Sequence, residues 1–349
     1  MNWKSFLRKY SIRFSVYLLI AVLLITVSVL IRYSNISRYK YTDESWDHIE
    51  PYVPSTNLTY NVLFDQHSHT YHSDGILSVE QNIKWHIAMG FNACAITDHN
   101  NIKSAKDIAE LAPQYANQIV IIQGMEWTTD RIHMNFLGIS TWDLSIPALP
   151  TDQEILEAID EVHSQGGVVV ANHLPWSNRT GAIDLPTQEQ LLSWGVDYIE
   201  IVNEGEFDQV SYDFSIASNN SIGMITGTDM HHPMDVYGWT AINVTEFSVE
   251  GILNQLRSRN TEIFYFPDGA EEQGSYSQNF GYIILRPFYD FGSIIISYYL
   301  GYGQFDIAAI MVFTTYFILF YVVLEGVIVG ITKIEKRRKI KKIEDIENN

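Results

Sequence analysis

Residues 61–75 read NVLFDQHSHTYHSDG. The stretch begins as an apolar run, Val62, Leu63 and Phe64. It ends in a polar burst that holds Asp65, His67, His69, His72 and Asp74. In an extended strand alternate side chains face one side, so Asp65, His67 and His69 project together from a strand end. Two imidazoles at that spacing can share a metal ion. Imidazole with carboxylate suits zinc, manganese or iron. A lone His-x-His is also common in a solvated turn, so the weight rests on what the rest of the chain places at comparable positions.

Working outward, short apolar runs alternate with helical segments from Asn61 to about Pro267. Strands are predicted at Val62–Phe64, Ala93–Thr97, Ile119–Gln123, Asn135–Ile139, Val168–Ala171, Tyr198–Val202, Gly223–Thr226 and Glu262–Phe266. Helices are predicted at Val79–Met89, Ser104–Tyr115, Asp152–Ser164, Thr187–Trp194 and Val249–Arg259. This alternation argues for a parallel sheet or barrel. The strands are apolar without alternation, which fits burial on both faces.

Strand after strand ends in metal-type residues. ITDHN supplies Asp98 and His99, GMEWT supplies Glu126, and RIHMNFLG opens its strand with His133. VVVANHLP supplies His173, IEIVNEG supplies Asn203 and Glu204, and ITGTDMHH supplies Asp229, His231 and His232. In a parallel barrel the C-terminal strand ends share one face, where active sites form. Each residue alone has a bland reading; together at buried strand ends they do not, because acids and histidines are rarely buried without partners. His86 and His163 fall on helices and read as surface or packing residues. Cys94, the single cysteine, opens a strand and reads as core.

HSHTYHSDG, ITDHN, GMEW, HMNFLG, ANHLP and GTDMH, in this order, resemble the successive motifs of the PHP (polymerase and histidinol phosphatase) family. GMEW and HMNFLG are most similar to the branch with CehA-type carbaryl hydrolases and exonuclease-like phosphoesterases. The resemblance covers residues 61 to about 267. It implies an α/β fold, a distorted (β/α)7 barrel, with two or three divalent metal ions, zinc, manganese or iron. By motif, one ion falls to His67, His69, Glu126 and Asp229. A second takes Glu126 as a bridge, with His133 and His173. A third takes Asp74, His99 and His231. Some family members have histidine where this chain has Asp74.

Residues 14–31, FSVYLLIAVLLITVSVLI, carry no charge and are long enough to span a bilayer. The basic residues before them, Lys4, Arg8, Lys9 and Arg13, predict a cytoplasmic tail over 1–13. Residues 32–60 read as a stalk and 61–270 as the metallohydrolase domain. A membrane-proximal, interfacial segment follows over 271–306. Residues 307–331 form a second span, and the basic stretch KIEKRRKIKK opens a cytoplasmic tail over 332–349. The expectation is a two-pass protein with both termini inside and the domain outside. Glu325 lies within the second span; it reads as snorkelling toward the cytoplasmic end or pairing with Lys333.

The 349 residues carry a net charge of −19, and the basic ends leave the centre more acidic still. Such a body is a poor binder of duplex nucleic acid, since phosphate contacts need clustered Lys and Arg. The activity the PHP resemblance implies is hydrolysis of a small phosphorylated compound, nucleotide or short oligonucleotide. Carboxyl or carbamate ester hydrolysis, as in the CehA branch, and a non-catalytic metal-binding ectodomain are the alternatives. Glu126 and Asp229 are the central residues. His232 and His72 are candidates to protonate a leaving group. Lys103, Arg131 and Arg179 are candidates to bind substrate phosphate. Asp65 and Asp98 are candidates to orient ligand histidines.

Overall fold

A computed structural model describes residues 3–34, 36–299, 302–305 and 307–347, with side chains over 8, 10–34, 36–296 and 307–341. The outermost residues of both basic tails thus lie outside the described residues. The chain divides into two compact units. One is Ser37–Asn279; the other joins Met1–Ile36 with Phe280–Asn349.

In the first unit the apolar runs become strands because both faces are covered. After β1 (Tyr39–Lys40) come β2 (Val62–Asp65), α2 (Val79–Ala88), β3 (Ala93–Ile96), α3 (Ala105–Tyr115), β4 (Val120–Thr128) and β5 (His133–Leu137); α1 belongs to the other unit. The chain continues through α4 (Asp152–Ser164), β6 (Val168–Ala171), α5 (Leu174–Thr180), α6 (Gln188–Trp194), β7 (Tyr198–Asn203), β8 (Glu206–Phe207) and α7 (Gln209–Ala217). It closes with β9 (Gly223–Gly227), β10 (Val236–Ile242), α8 (Val249–Arg257), β11 (Glu262–Ala270) and β12 (Ser277–Gln278). Helix starts follow side-chain chemistry: Ser78, Thr151 and Thr187 each cap their helix, with Gln81, Glu154 and Gln190 completing capping boxes.

The sheet runs β11-β10-β2-β3-β4-β5-β6-β7, with β9 on β7. It curls into a nearly closed barrel. Thr240 Oγ1 accepts from Thr226 N–H at 2.9 Å, bridging β9 and β10 where the ladder is interrupted. The ring is mixed rather than wholly parallel: β5 runs against β4 and β6, and β10 runs against β2. The connection from Thr128 to His133 is too short for a parallel crossover, so a hairpin results. The apolar interior of the ring holds Phe64, Ala95, Ile122, Val170, Tyr198 and Ile225 among others.

Residues 37–60 are not a free stalk. β1 pairs with β12, Trp46 is buried and its Nε1–H donates to Glu272 at 3.0 Å, and Tyr52 stacks on Trp239 with centroids 5.4 Å apart. The aromatic residues of this stretch gain more by packing on the barrel than by staying solvated.

The second unit holds α1 (Trp3–Tyr33), α9 (Phe280–Ile295) and α10 (Ile307–Glu347), and the hairpin β13 (Ile296–Tyr299) and β14 (Tyr302–Phe305) lies between α9 and α10. Tyr10–Tyr33 and Ile307–Lys341 are long and apolar enough to cross a membrane. α9 lies along α1, where Gly292 leaves room for the Ser28 carbonyl, and Arg32 Nη1 donates to the Tyr289 hydroxyl at 2.9 Å. Glu325 pairs with Arg13 Nε at 3.0 Å, not with Lys333.

Candidate metal centre

The residues named at the strand ends meet at one mouth of the barrel. His67 and His69 leave the end of β2, Asp98 and His99 follow β3, and Glu126 sits in the last turns of β4. His133 opens β5, His173 follows β6, and Asp229 and His231 follow β9. β5 is reversed, so its first residue arrives at the same mouth as the last residues of its neighbours.

His67 Nε2, His69 Nε2 and Asp229 Oδ1 are mutually 3.1–3.2 Å apart. Glu126 Oε2 lies 3.5 Å from His67 Nε2 and 3.4 Å from His69 Nε2. Donor atoms about 2 Å from a four-coordinate ion stand roughly 3.3 Å apart. His67, His69 and Asp229 thus form a three-donor cluster, and Glu126 Oε2 flanks its two imidazoles. The other carboxylate oxygen, Glu126 Oε1, faces His133 Nδ1 at 2.9 Å and His173 Nε2 at 3.2 Å. A third group forms around Asp74 Oδ1, with His231 Nε2 at 3.2 Å and His99 Nε2 at 3.6 Å.

Several polar atoms here are buried without a hydrogen-bond partner: Glu126 Oε2, Asp74 Oδ1 and His133 Nε2. Buried polar groups rarely go unpaired unless an ion or water meets them. Imidazole tautomers agree with ligation. The His231 Nδ1–H donates to the Asp229 carbonyl at 2.8 Å, leaving Nε2 free toward Asp74. The donor set therefore fits divalent ions, with Glu126 placed between two groups.

Charge within the cluster is self-compensating. Burial alone would raise the Glu126 carboxyl, but His99, His67 and His133 hold it well below its usual range. Burial likewise opposes, and His67 and His231 outweigh it, at Asp229. His231 is pushed up to about 10, against burial, by Asp74 and Asp229. Burial draws His69 and His133 down to about 4.

The supporting residues are less uniform. Asp98 Oδ1 accepts from Thr70 N–H and the Ser73 hydroxyl, both at 2.8 Å, and so shapes the loop that carries His69 and Asp74. Asp65 contacts no ligand ring; it accepts from the backbone N–H groups of His67 and Thr228 at 3.2 and 3.0 Å. Asn203 Nδ2 donates to Glu200 at 3.0 Å. Glu204 forms a further group with Asp229 and His231, and burial raises its pKa.

Other candidates lie elsewhere. Arg131 is only 5% exposed. Its guanidinium binds Asp152 at 2.6 Å, Asp184 at 3.1 Å and the Pro150 carbonyl at 3.1 Å. It fastens three loops together, and Asp152 and Asp184 neutralise its charge. Arg179 is taken up by Glu206 in a two-pronged pair. Lys103 stays exposed and, among the described residues, makes no ion pair. His72 Nε2 is engaged by Asp107 at 2.9 Å, which leaves it poorly placed to serve the cluster. His232 follows His231 on the loop after β9 and is exposed; desolvation and the neighbouring His231 lower its pKa. His86, read as a surface or packing residue, is fully buried against Asp65.

Two supporting residues escaped the sequence reading. Glu200 lies in β7, and its carboxylate reaches His67. Asn172 Nδ2 donates to Glu126 Oε1 at 3.2 Å. The signal for Glu200 was an acid in the middle of an apolar strand, YIEIV; Asn172 stands beside His173 and offered none of its own.

The family model for the PHP domain matches residues 65–190. The 5'-3' exoribonuclease Rnm of Salmonella typhimurium is 28% identical to this chain over 131 residues, 36% of this chain and 43% of that protein. The Escherichia coli 5'-3' exoribonuclease Rnm is 28% identical over 133 residues, 37% of this chain and 43% of that protein. The chain thus spans less than half the length of these relatives. Among solved structures, a two-domain Bacteroides vulgatus protein containing a predicted PHP-like metal-dependent phosphoesterase superposes with a TM-score of 0.50 at 22% identity, covering 62% of this chain and 68% of that one. That likeness concerns the fold alone.

Proposed function

We propose that this PHP domain is a membrane-anchored, metal-dependent phosphoesterase. Its substrate on this reading is a small phosphorylated compound, a nucleotide or a short oligonucleotide. The observation that carries the reading is the cluster of His67, His69 and Asp229, with Glu126 beside both imidazoles and turned also toward His133 and His173. Divalent ions held there supply Lewis acidity toward a phosphoryl oxygen and lower the pKa of the attacking water.

The chain's own residues do the rest. Glu126 joins two ligand groups through its two oxygens. The Thr128 hydroxyl lies 2.6 Å from His99 Nδ1 and fixes that ring. Asn172 steadies Glu126 Oε1. Since Arg131 and Arg179 are neutralised by carboxylates, Lys103 is the cation left from the original three to approach substrate phosphate. The similarity to 5'-3' exoribonucleases favours nucleotides or short RNA among phosphate esters. The acidic body argues against duplexes.

The Arg13–Glu325 contact supports two helices that cross the membrane in opposite directions, with both termini on the basic, cytoplasmic side and the domain outside. Reporter fusions after Thr59 and after the C-terminus test this; a cytoplasmic signal at Thr59 sinks it.

The activity is tested on the full chain in detergent, supplied with manganese, zinc or iron. Substrates are nitrophenyl phosphate, bis-nitrophenyl phosphate, nucleotides, short RNA and nitrophenyl acetate. Metal-dependent release of phosphate or nucleotide is expected. Hydrolysis of the acetate alone moves the chain to carboxyl esters. Metal binding without any hydrolysis moves it to a binding role.

A further inference from the structure

Glu200 stands in the middle of β7, fully buried, with no lysine or arginine among its partners. A carboxylate so placed is costly unless its oxygens are well met. Its Oε1 accepts from Gln66 Nε2 at 2.7 Å and lies 3.1 Å from His67 Nδ1. Its Oε2 accepts from the His173 backbone N–H at 2.9 Å and from Asn203 Nδ2 at 3.0 Å. The donors thus come from the end of β2, the end of β6 and β7 itself.

Two features show that the surroundings are built around this carboxylate. His173 has φ of 27°, a backbone conformation that residues with a Cβ rarely adopt, and Glu200 holds that same N–H. Gly227, at the end of β9, faces the carboxylate closely: a Cβ there would run into Glu200 Oε1 and come 2.6 Å from Gln66 Nε2. The glycine leaves the space that Glu200 fills.

We infer that Glu200 is a positioning residue that sets two ligand histidines at once, His67 through its ring and His173 through its backbone. It thereby governs ion binding on both sides of Glu126. This inference rests on the reading of the cluster as a metal centre. With Nδ1–H directed to Glu200, His67 presents Nε2 to the cluster. Fixing a ligand imidazole through its other nitrogen sets both tautomer and orientation, and loss of such a partner commonly weakens metal binding by about 10–100-fold.

The test uses the full chain in detergent, loaded with cobalt(II), with bound metal measured by elemental analysis and the visible spectrum recorded. Two variants are compared with the wild type. Glu200→Gln keeps the shape but puts an amide where donors converge. Gly227→Ala leaves Glu200 and every ligand in the sequence but crowds the carboxylate, Gln66 and the His67 Cβ together. Both are expected to weaken cobalt binding at least tenfold in both ion sites and to alter the visible spectrum, while circular dichroism shows a folded chain. Full cobalt content with an unchanged spectrum in a folded variant overturns the inference, as does loss confined to one ion. If Glu200→Gln fails to fold, Glu200→Asp, which keeps the charge but withdraws it from His67 and the His173 N–H, decides by the same criteria. A wild type that binds no cobalt removes the metal centre itself, a separate failure from a wild type and variants that bind it equally.

Discussion

His86 Nε2 lies 3.0 Å from Asp65 Oδ2, and both side chains are fully buried. His86 Nδ1 lies 2.8 Å from the Asn82 carbonyl, one turn back along α2. Asp65 in turn accepts from Thr228, and so links β2 to the loop that carries Asp229. The helix is thereby tied to the floor of the cluster. His86→Phe keeps an apolar ring but removes this link and leaves a buried carboxylate short of one donor. The expected loss is about 1–3 kcal/mol of stability, read as a lower melting temperature, with metal content retained. A melt that matches the wild type refutes the link.

Glu126→Gln tests the centre directly. The amide matches the carboxylate in shape but lacks the charge that offsets two nearby cations. Bound metal is expected to weaken tenfold or more. Hydrolysis is expected to fall on the order of a thousandfold, as when a main electrostatic stabiliser is removed. Glu110→Gln, on the exposed face of α3, serves as control. Full activity in Glu126→Gln places the centre elsewhere.

Arg131 separates a fastening role from a substrate-binding one. Its removal frees three loops that its guanidinium joins. Arg131→Ala is expected to cost about 2 kcal/mol in stability, the scale of a hydrogen bond to a charged group, with KM changed less than threefold. A tenfold rise in KM with an unchanged melt assigns Arg131 to the substrate after all.

The pair His163 and Asp197 gives a pH signature away from the cluster. His163 Nε2 lies 2.9 Å from Asp197 Oδ2. The hydrogen bond to Asp197 raises the His163 pKa in the folded chain against some burial. A raised pKa means that the stabilisation is complete below the unfolded value, about 6.5, and is lost as pH climbs through the folded value. Asp197 is depressed, burial being outweighed by His163 and the Val169 N–H, so its share is lost only in acid, as pH falls through that depressed value. The melting temperature of the metal-loaded wild type should therefore drop relative to His163→Gln as pH rises above about 6.5 and through the raised folded value. Parallel pH profiles for the two proteins would rule out the contribution.

Much of this was legible in the chain. Apolar runs of four to six residues ending in His, Asp or Glu announced the barrel mouth, because a buried strand must be apolar until it reaches the site. The helix Asp152–Ser164 was readable from its capping residues and apolar spacing. What stayed hidden depended on partners distant in sequence. Arg131 looked like a free cation because Asp152 and Asp184 meet it only through folding. β10 was missed, and with it the edge that nearly closes the ring. The turn from Asp130 to Ile132 reverses β5, which a parallel reading did not allow for. His86 was legible after all: Val79, Asn82, Ile83 and His86 fall at the three- and four-residue steps of one buried helix stripe.

The Arg13–Glu325 contact bears on release. A charged pair in an apolar setting separates reluctantly, because each partner left alone is poorly solvated there. The catalytic unit is connected to this helix pair through both of its ends. A protease that nicks one connection leaves the unit attached through the other, and the two helices still hold each other. If the two helices span a membrane as proposed, shedding takes two cuts, and a singly nicked chain should stay with the membrane fraction.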